Sequence, residues 1–272
     1  MKILVTGHKG FIGTKLFLKL TALGHKVTGI DLKEGKDLHH CLPEGDFDFV
    51  FHLAALPSVQ YSVENPSYTM KQNVLASSVL LEWCVKKKIK RLVFSSSAAA
   101  VEANSPYGLH KRITEMECSL FSELYGLDTV CLRYYNVYSE DQEFAGAYST
   151  VISHWMNSVK NKDVLFMDGD GEQTRDFIHL DDIVEANVFC MNSKENFHGK
   201  ALDVGTGNEI SLKQIKFYID QNNDVSWLHR PQRAGDIKKS KSNPSVLIEM
   251  GWNPKVSIKE GIKRCFKKGV KE

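Results

Sequence analysis

Tyr107 and Lys111 stand four residues apart, which places a phenol and an ammonium on one face of a helix. Ser95, Ser96 and Ser97 end the apolar run that begins at Arg91, and the C-terminal end of a parallel strand is where α/β sheets hold ligands. A phenol with a cation one turn away is equipped for general acid/base work. A Tyr-x-x-x-Lys pair alone is common on amphipathic helices. Its specificity comes from its place between a serine-ended strand and Gly126, downstream of a glycine-rich turn.

That turn is Gly7-His8-Lys9-Gly10-Phe11-Ile12-Gly13, directly after the apolar run Ile3–Val5. Gly7 makes the tight turn, Gly10 lets the backbone approach a pyrophosphate, and Gly13 lets the following helix pack close to the sheet. The free N–H groups and positive dipole end of that helix then face the phosphates. The spacing is G-x-x-G-x-x-G rather than G-x-G-x-x-G. Asp31 follows at the end of the second apolar run, where a carboxylate accepts both ribose hydroxyls of NAD and repels the 2′-phosphate of NADP. Lys33 nearby pulls the other way, and the bland reading of Asp31 is a solvated turn residue. With NAD expected, a phenol titrating near pH ~10 needs a shift of about 3 units, roughly 4 kcal/mol, from Lys111 and a cationic nicotinamide.

The elements that must carry these residues alternate along the first half. Strands are expected at Ile3–Val5, Val27–Ile30, Phe47–Leu53, Arg91–Phe94 and Thr129–Leu132. Helices are expected at Phe11–Leu23 (stopped by Gly24), Asn73–Val85 (with Lys86-Lys87-Lys88 at its end) and Tyr107–Tyr125 (stopped by Gly126). This βαβ series predicts an α/β fold with a doubly wound parallel sheet. After Asn136 the pattern loosens, with a helix expected at Asp181–Cys190 and a strand at Ala201–Val204. The reading is two unequal units: a dinucleotide-binding (Rossmann) domain from 1–139 and 176–207, and a smaller substrate-binding domain from 140–175 and 208–272.

Composition sets the outer limits. Of 272 residues, 42% are hydrophobic and 25% charged, which excludes a mainly disordered chain, and the net charge of +2 argues against nucleic-acid binding by bulk charge. No apolar run is long enough to span a bilayer, and Thr6-Gly7 ends the first apolar run too early for a secretory leader. The six cysteines form no C-x-x-C pair and read as reduced thiols of a cytoplasmic protein, with no metal site expected. His39-His40 reads as a solvated loop, His52 as a satisfied structural histidine near the cofactor, and Tyr134-Tyr135 as packing. The segment 237–272 holds ten Lys/Arg against three Glu, read as a solvated basic face.

Together these strings resemble the extended short-chain dehydrogenase/reductases, in particular NAD-dependent nucleotide-sugar epimerases of the UDP-glucose 4-epimerase type. The resemblance covers the Gly7–Gly13 turn, Phe51-His52-Leu53-Ala54-Ala55, Ser62-Val63-Glu64-Asn65-Pro66, Asn73, Phe94 to Ser97, and Ser105-Pro106-Tyr107 with Lys111. It continues in Arg133-Tyr134-Tyr135-Asn136-Val137-Tyr138, Gly169-Asp170-Gly171 with Arg175-Asp176-Phe177-Ile178-His179, Arg233-Ala234-Gly235-Asp236 and Gly251-Trp252-Asn253-Pro254.

The resemblance implies that Tyr107 is the acid/base, that Lys111 binds the nicotinamide ribose and polarises the phenol, and that Ser97, the third serine, bonds the sugar hydroxyl. It implies an NAD site from Gly7, Gly10, Phe11, Ile12, Gly13, Asp31, Leu53, Ala54, Ala55 and Asn73, together with Tyr107 and Lys111. Asn136, Arg175 and Arg233 would contact substrate, the arginines gripping a diphosphate. Asp236 falls where the family contacts the nucleotide ribose, and Ser240 where a residue limits sugar size, a small serine leaving room for an N-acetyl group. The helices Asn73–Val85 and Tyr107–Tyr125 would form a homodimer interface.

The implied reaction is C4 epimerisation of a nucleotide-diphosphate hexose through a 4-keto intermediate. Related 4,6-dehydratases carry Asp-Glu after the hydroxyl residue and related decarboxylases a Glu two positions on, whereas Ala98-Ala99 follow Ser97 here. A dehydratase or decarboxylase drawing its acid from elsewhere, such as Glu102, is the alternative, and a non-catalytic NAD-binding regulator a third reading. The chain departs from the family in Val101-Glu102 standing for Tyr-Gly, in the short Ser97–Tyr107 and Asp31–Asp48 connections, and in His8-Lys9 inside the glycine turn.

Overall fold

Ile3, Leu4 and Val5 are fully buried, as a strand flanked by helices on both faces requires. They form β1 (Lys2–Thr6), which continues through α1 (Phe11–Ala22) into β2 (Lys26–Ile30). In this computed structural model, which describes residues 1–144, 149–221, 223–232 and 238–267, the chain divides into two compact units. The first is Met1–Tyr134 with Ile183–Asp203.

After β2 come β3 (Phe49–His52), α2 (Val59–Glu64), α3 (Pro66–Met70), α4 (Ala76–Lys86), β4 (Arg91–Ser97), α5 (Ala99–Glu102), α6 (Pro106–Tyr125) and β5 (Asp128–Tyr134). The six-stranded sheet runs Lys200–Val204, β5, β4, β3, β1, β2, and the pairs β1–β2, β1–β3, β3–β4 and β4–β5 are parallel. This is the doubly wound α/β sheet expected. Two local features were not. The stretch Lys71–Leu75, expected to begin a regular helix at Asn73, is a π-helical turn joining α3 to α4. The short Ser97–Tyr107 connection is filled by α5 and closed by Ala103 in the left-handed region, φ 50°.

One core cluster of this unit gathers Leu4, Val50, Leu80, Leu81, Leu92 and Phe94 from strands and helix. Arg91 at the start of β4 is buried and ties two distant stretches together. Its Nε reaches Asp128 Oδ2 at 2.5 Å, and its Nη atoms donate to the carbonyls of Cys190, Ser193 (3.0 Å) and Glu195 (2.7 Å). The guanidinium also lies 4.7 Å from the centroid of the Phe197 ring.

The second unit, Tyr135–Asp182 with Val204–Glu272, is built from small sheets. Asn136–Tyr138 pairs in parallel with Phe177–His179, Leu165–Asp168 pairs with Trp227–Arg230, and Thr174–Arg175 lies between Ile210–Ser211 and Lys239–Ser240. Its core holds Tyr138, Ile152, Trp155, Leu165, Met167 and Ile215. Among the described residues no helix is long and apolar enough to cross a membrane. The six cysteines are free thiols, four of them buried and Cys41 exposed.

Candidate active site

The glycine turn is shaped by what crowds it. Gly7 sits at φ +74°, and a Cβ there would lie 2.6 Å from Ala54 N, so the turn rests directly on the loop after β3. A Cβ on Gly13 would lie 2.0 Å from Gly7 O, whereas one on Gly10 meets only Gly7 O at 3.2 Å and otherwise faces open space. Gly10 offers α1 no side-chain cap, and no acidic residue occupies the first turn, so the positive helix end is uncompensated within its own element. The cradle fits a pyrophosphate: the close positions hold the turn, and the open position lets a ligand approach the backbone. Phe11 and Ile12 are half-buried beside it.

Asp31 is buried at the end of β2. Its Oδ2 accepts from the backbone N–H of Lys9, in the turn, at 2.9 Å, and its Oδ1 accepts from Lys33 N at 2.9 Å. A carboxylate oxygen has a second lone pair, so ribose hydroxyls can add to these bonds. The Lys33 ammonium is turned onto Lys9 O at 3.1 Å. His8 lies flat over Gly29, with its Nε2 3.3 Å from Glu34 Oε1.

Leu53, Ala54 and Ala55 form the half-buried loop beneath the turn. Asn73 clamps its far side, because Oδ1 accepts from Leu56 N at 2.7 Å and Nδ2 donates to Leu56 O at 3.1 Å. Thus Asn73 shapes the loop after β3 with both ends of its amide. His52 is the satisfied structural histidine expected. Ser77 Oγ donates to Asn73 O (2.6 Å), so His52 Nε2 must donate to Ser77 (2.8 Å) and Nδ1 must accept from Thr6 Oγ1 (2.7 Å). Burial, helped by the nearby Lys111 charge, pushes its pKa down to about 3, which keeps the ring neutral.

The start of α6 packs at the end of β4. Ser105 caps α6 by accepting from Gly108 N, Pro106 fills the first turn, and Tyr107 N donates to Ser62 Oγ at 3.1 Å, which pins the helix start to α2. Gly108 is required because a Cβ would lie 2.5 Å from Ala99 O, where α5 crosses. One turn on, the buried Lys111 Nζ donates to Ser95 O at 2.6 Å, lying 4.7 Å from the Phe94 ring centroid and 5.9 Å from that of Tyr107. Burial lowers its pKa to about 8, against the opposing pull of Glu115. Ser97 accepts from Ala99 N at 3.2 Å, which leaves its own O–H to donate. Ser96, by contrast, is buried and spends its hydroxyl on Glu115 Oε1 at 2.6 Å.

Glu115 is a residue the spacing could have found, since it lies one turn beyond Lys111 on the same helix face. It is buried and also accepts a two-point bond from Arg133 of β5 at 2.8 and 2.7 Å, with Arg112 at 3.3 Å. This network holds the serine strand against α6. Tyr134, read as packing, is buried and donates to Asn187 Oδ1 at 2.9 Å.

In the second unit, Asn136 and Arg175 are half-buried, and Ser240 stands opposite Arg175 in strand register. Asn136 donates through its backbone and its Nδ2 to Asp176 O, both at 3.0 Å. Arg175 Nη1 donates to Thr174 O at 2.8 Å. Arg233 and Asp236 lie outside the described residues. Among the described residues no group of His, Cys, Asp or Glu is arranged to hold a metal ion.

Residues 3–205 match the model of the NAD dependent epimerase/dehydratase family. The chain is 30% identical over 305 residues to a UDP-glucose 4-epimerase of Mycolicibacterium smegmatis, with 96% of each covered. It is similar to the crystal structure of UDP-glucose 4-epimerase with UDP-glucose from Thermotoga maritima, at 32% identity and a TM-score of 0.86 over 98% of both chains. A further similar structure is UDP-N-acetylglucosamine 4-epimerase from Methanobrevibacter ruminantium in complex with UDP-N-acetylmuramic acid, at 30% identity and a TM-score of 0.85 over 98% of this chain and 97% of that one.

Proposed function

The chain belongs to the NAD dependent epimerase/dehydratase family, with NAD as its cofactor, and on that premise we propose that it inverts C4 of a UDP-hexose. The observation that carries this reading is the end of β4, which bears Ser97 and where Lys111 is held on Ser95 O beside the Tyr107 ring, while the nearby carboxylate of Glu115 is taken up by Ser96 and Arg133. Bound NAD supplies a two-electron acceptor that also returns what it takes. Tyr107 takes the C4 hydroxyl proton during oxidation and gives it back during reduction. Lys111 stabilises the phenolate through space and offers its remaining N–H donors to the nicotinamide ribose. Ser97 donates to the reacting sugar oxygen. Asn136, Arg175, Arg233, Asp236 and Ser240 hold the nucleotide sugar, with small Ser240 leaving room for an N-acetyl group.

Dehydration or decarboxylation needs a further acid/base. Ala98 and Ala99 follow Ser97, and Glu102 on α5 is exposed and bonded to Asn104 Nδ2 at 3.1 Å, which favours epimerisation over the dehydratase or decarboxylase reading. A regulator that only binds NAD would need the turn and Asp31 alone. The α6 face that carries exposed Leu109, Met116, Leu120 and Leu124 supports a homodimer. The deciding experiment is incubation with UDP-glucose and UDP-N-acetylglucosamine, with products read by NMR. C4 inversion is expected, abolished in Tyr107→Phe while NAD stays bound. A 6-deoxy-4-keto or pentose product would transfer the assignment to the alternative, and no turnover with normal NAD binding would favour the regulator. Sedimentation that gives only monomer at micromolar concentration would end the dimer assignment.

A further inference from the structure

Asp176 is fully buried, and its backbone and side chain reach three separate stretches of the second unit. Its carboxylate accepts from the Thr206 N–H at 2.9 Å and hydroxyl at 2.7 Å, the Gly207 N–H at 2.9 Å, and the Ser242 hydroxyl at 2.5 Å and N–H at 3.3 Å. Its backbone N–H donates to Ser240 O at 2.9 Å, and its carbonyl takes both donors of Asn136. Arg175 is its chain neighbour, paired in register with Ser240.

We infer that Asp176 is a positioning residue for substrate, the knot that fixes Asn136, Arg175 and Ser240 relative to one another. The inference rests on the reading of those three as substrate contacts. The pairing of Thr174–Arg175 with Lys239–Ser240 is two residues long, and a ladder so short is too weak to hold its own register. The carboxylate supplies the missing constraint by seizing Ser242, two residues beyond Ser240, and Thr206–Gly207 from a third stretch. The group facing them must be an acceptor, because three of the five contacts are backbone N–H groups, which can only donate. Space is fitted as closely as charge, since a Cβ on Gly205 would lie 2.3 Å from Ser242 Oγ and 2.7 Å from Asp176 Oδ2. An amide of the same shape would turn an NH₂ against these donors and leave at least one without an acceptor. Ser240 and Arg175 would then lose their common frame, whereas the NAD turn, carried by the other unit, would keep its geometry.

The test compares Asp176→Asn and Ser242→Ala with the unaltered protein. It follows kcat and KM for the UDP-sugar, UDP binding by calorimetry, NAD retention and thermal melting. Asp176→Asn is expected to raise KM and the Kd for UDP about tenfold or more, and Ser242→Ala about threefold, with kcat within about twofold and NAD retained. General loosening of the fold would lower the melting temperature without separating KM from kcat. Unchanged KM and UDP affinity in the folded variants would overturn the inference, as would a fall in kcat alone. Should Asp176→Asn fail to fold, Ser242→Ala decides. If the unaltered protein binds UDP but turns over no sugar, the epimerase reading falls and the calorimetry still judges the knot. An unaltered protein that binds no UDP overturns both.

Discussion

Replacing Lys111 with Met should separate what this residue does for chemistry from what it costs the fold. The ammonium is buried, and burial lowers its pKa from 10.5 to about 8. Each unit of pH is worth about 1.4 kcal/mol for one such group, so the gap corresponds to about 3 kcal/mol. The sign follows from proton counting. Between pH 8 and 10.5 the unfolded chain holds this proton and the folded chain does not, so stability rises with pH across that window. Below pH 8 both states hold it, and the folded state bears the full penalty. Met fills similar volume without charge, but it leaves Ser95 O without its donor at 2.6 Å, a loss of about 1–2 kcal/mol. The variant should therefore be more stable than the unaltered protein by about 1–2 kcal/mol at pH 7 and less stable by a similar amount at pH 10.5. The other groups facing Nζ, namely Tyr107, Glu115, Cys118, Cys131 and His52, are present in both proteins. Urea unfolding of both proteins at matched NAD occupancy, in steps of pH, measures the crossing. Two stability curves that stay parallel from pH 7 to 10.5 would refute the reasoning. Turnover should be lost at every pH.

The second and third glycines of the turn should respond differently. Gly13→Ala drives a Cβ into Gly7 O, and should cost about 1–3 kcal/mol of stability as well as NAD affinity, whereas Gly10→Ala should weaken NAD binding with little change in the melting temperature. NAD titration beside calorimetric melting separates the two. Glu115→Gln removes the charge that Arg133 grips with two bonds and should destabilise the protein by about 2–4 kcal/mol in urea. Because the Glu115 charge raises the Lys111 pKa, the variant should also move the alkaline transition in stability to lower pH.

Much of the first unit was legible because its signals are local. Ile3–Val5, the glycines and Asp31 state a strand, a turn and a second strand end within thirty-one residues, and burial on both faces makes the strands read as unbroken apolar runs. Tyr107 and Lys111 were legible because helical spacing alone brings them together. The rest depends on partners far apart in sequence. Nothing local in Lys71–Leu75 announces a π turn, and its Asn73 bonds the backbone of Leu56, seventeen residues away. Choosing among Ser95, Ser96 and Ser97 by their surroundings required knowing that Glu115 takes Ser96. Asp176 was visible only as one letter of a familiar string, since the bonds that define it come from residues thirty to sixty-six positions away.

The Arg91 clamp bears on the order in which this protein can be completed during synthesis. Its partners at Cys190, Ser193 and Glu195 lie about a hundred residues downstream, and the strand Lys200–Val204 that covers β5 follows them. All of residues 135–182, belonging to the other unit, must leave the ribosome first. Until then β5 is an unpaired edge, and Arg91 lacks three of its four acceptor groups. A nascent or truncated chain ending near Tyr134 therefore displays an open apolar strand edge, the kind of surface that other strands join. Translation of the second unit is thus a waiting period in which the first is exposed to mispairing and to chaperones, and it ends only when the segment that follows arrives to close the sheet.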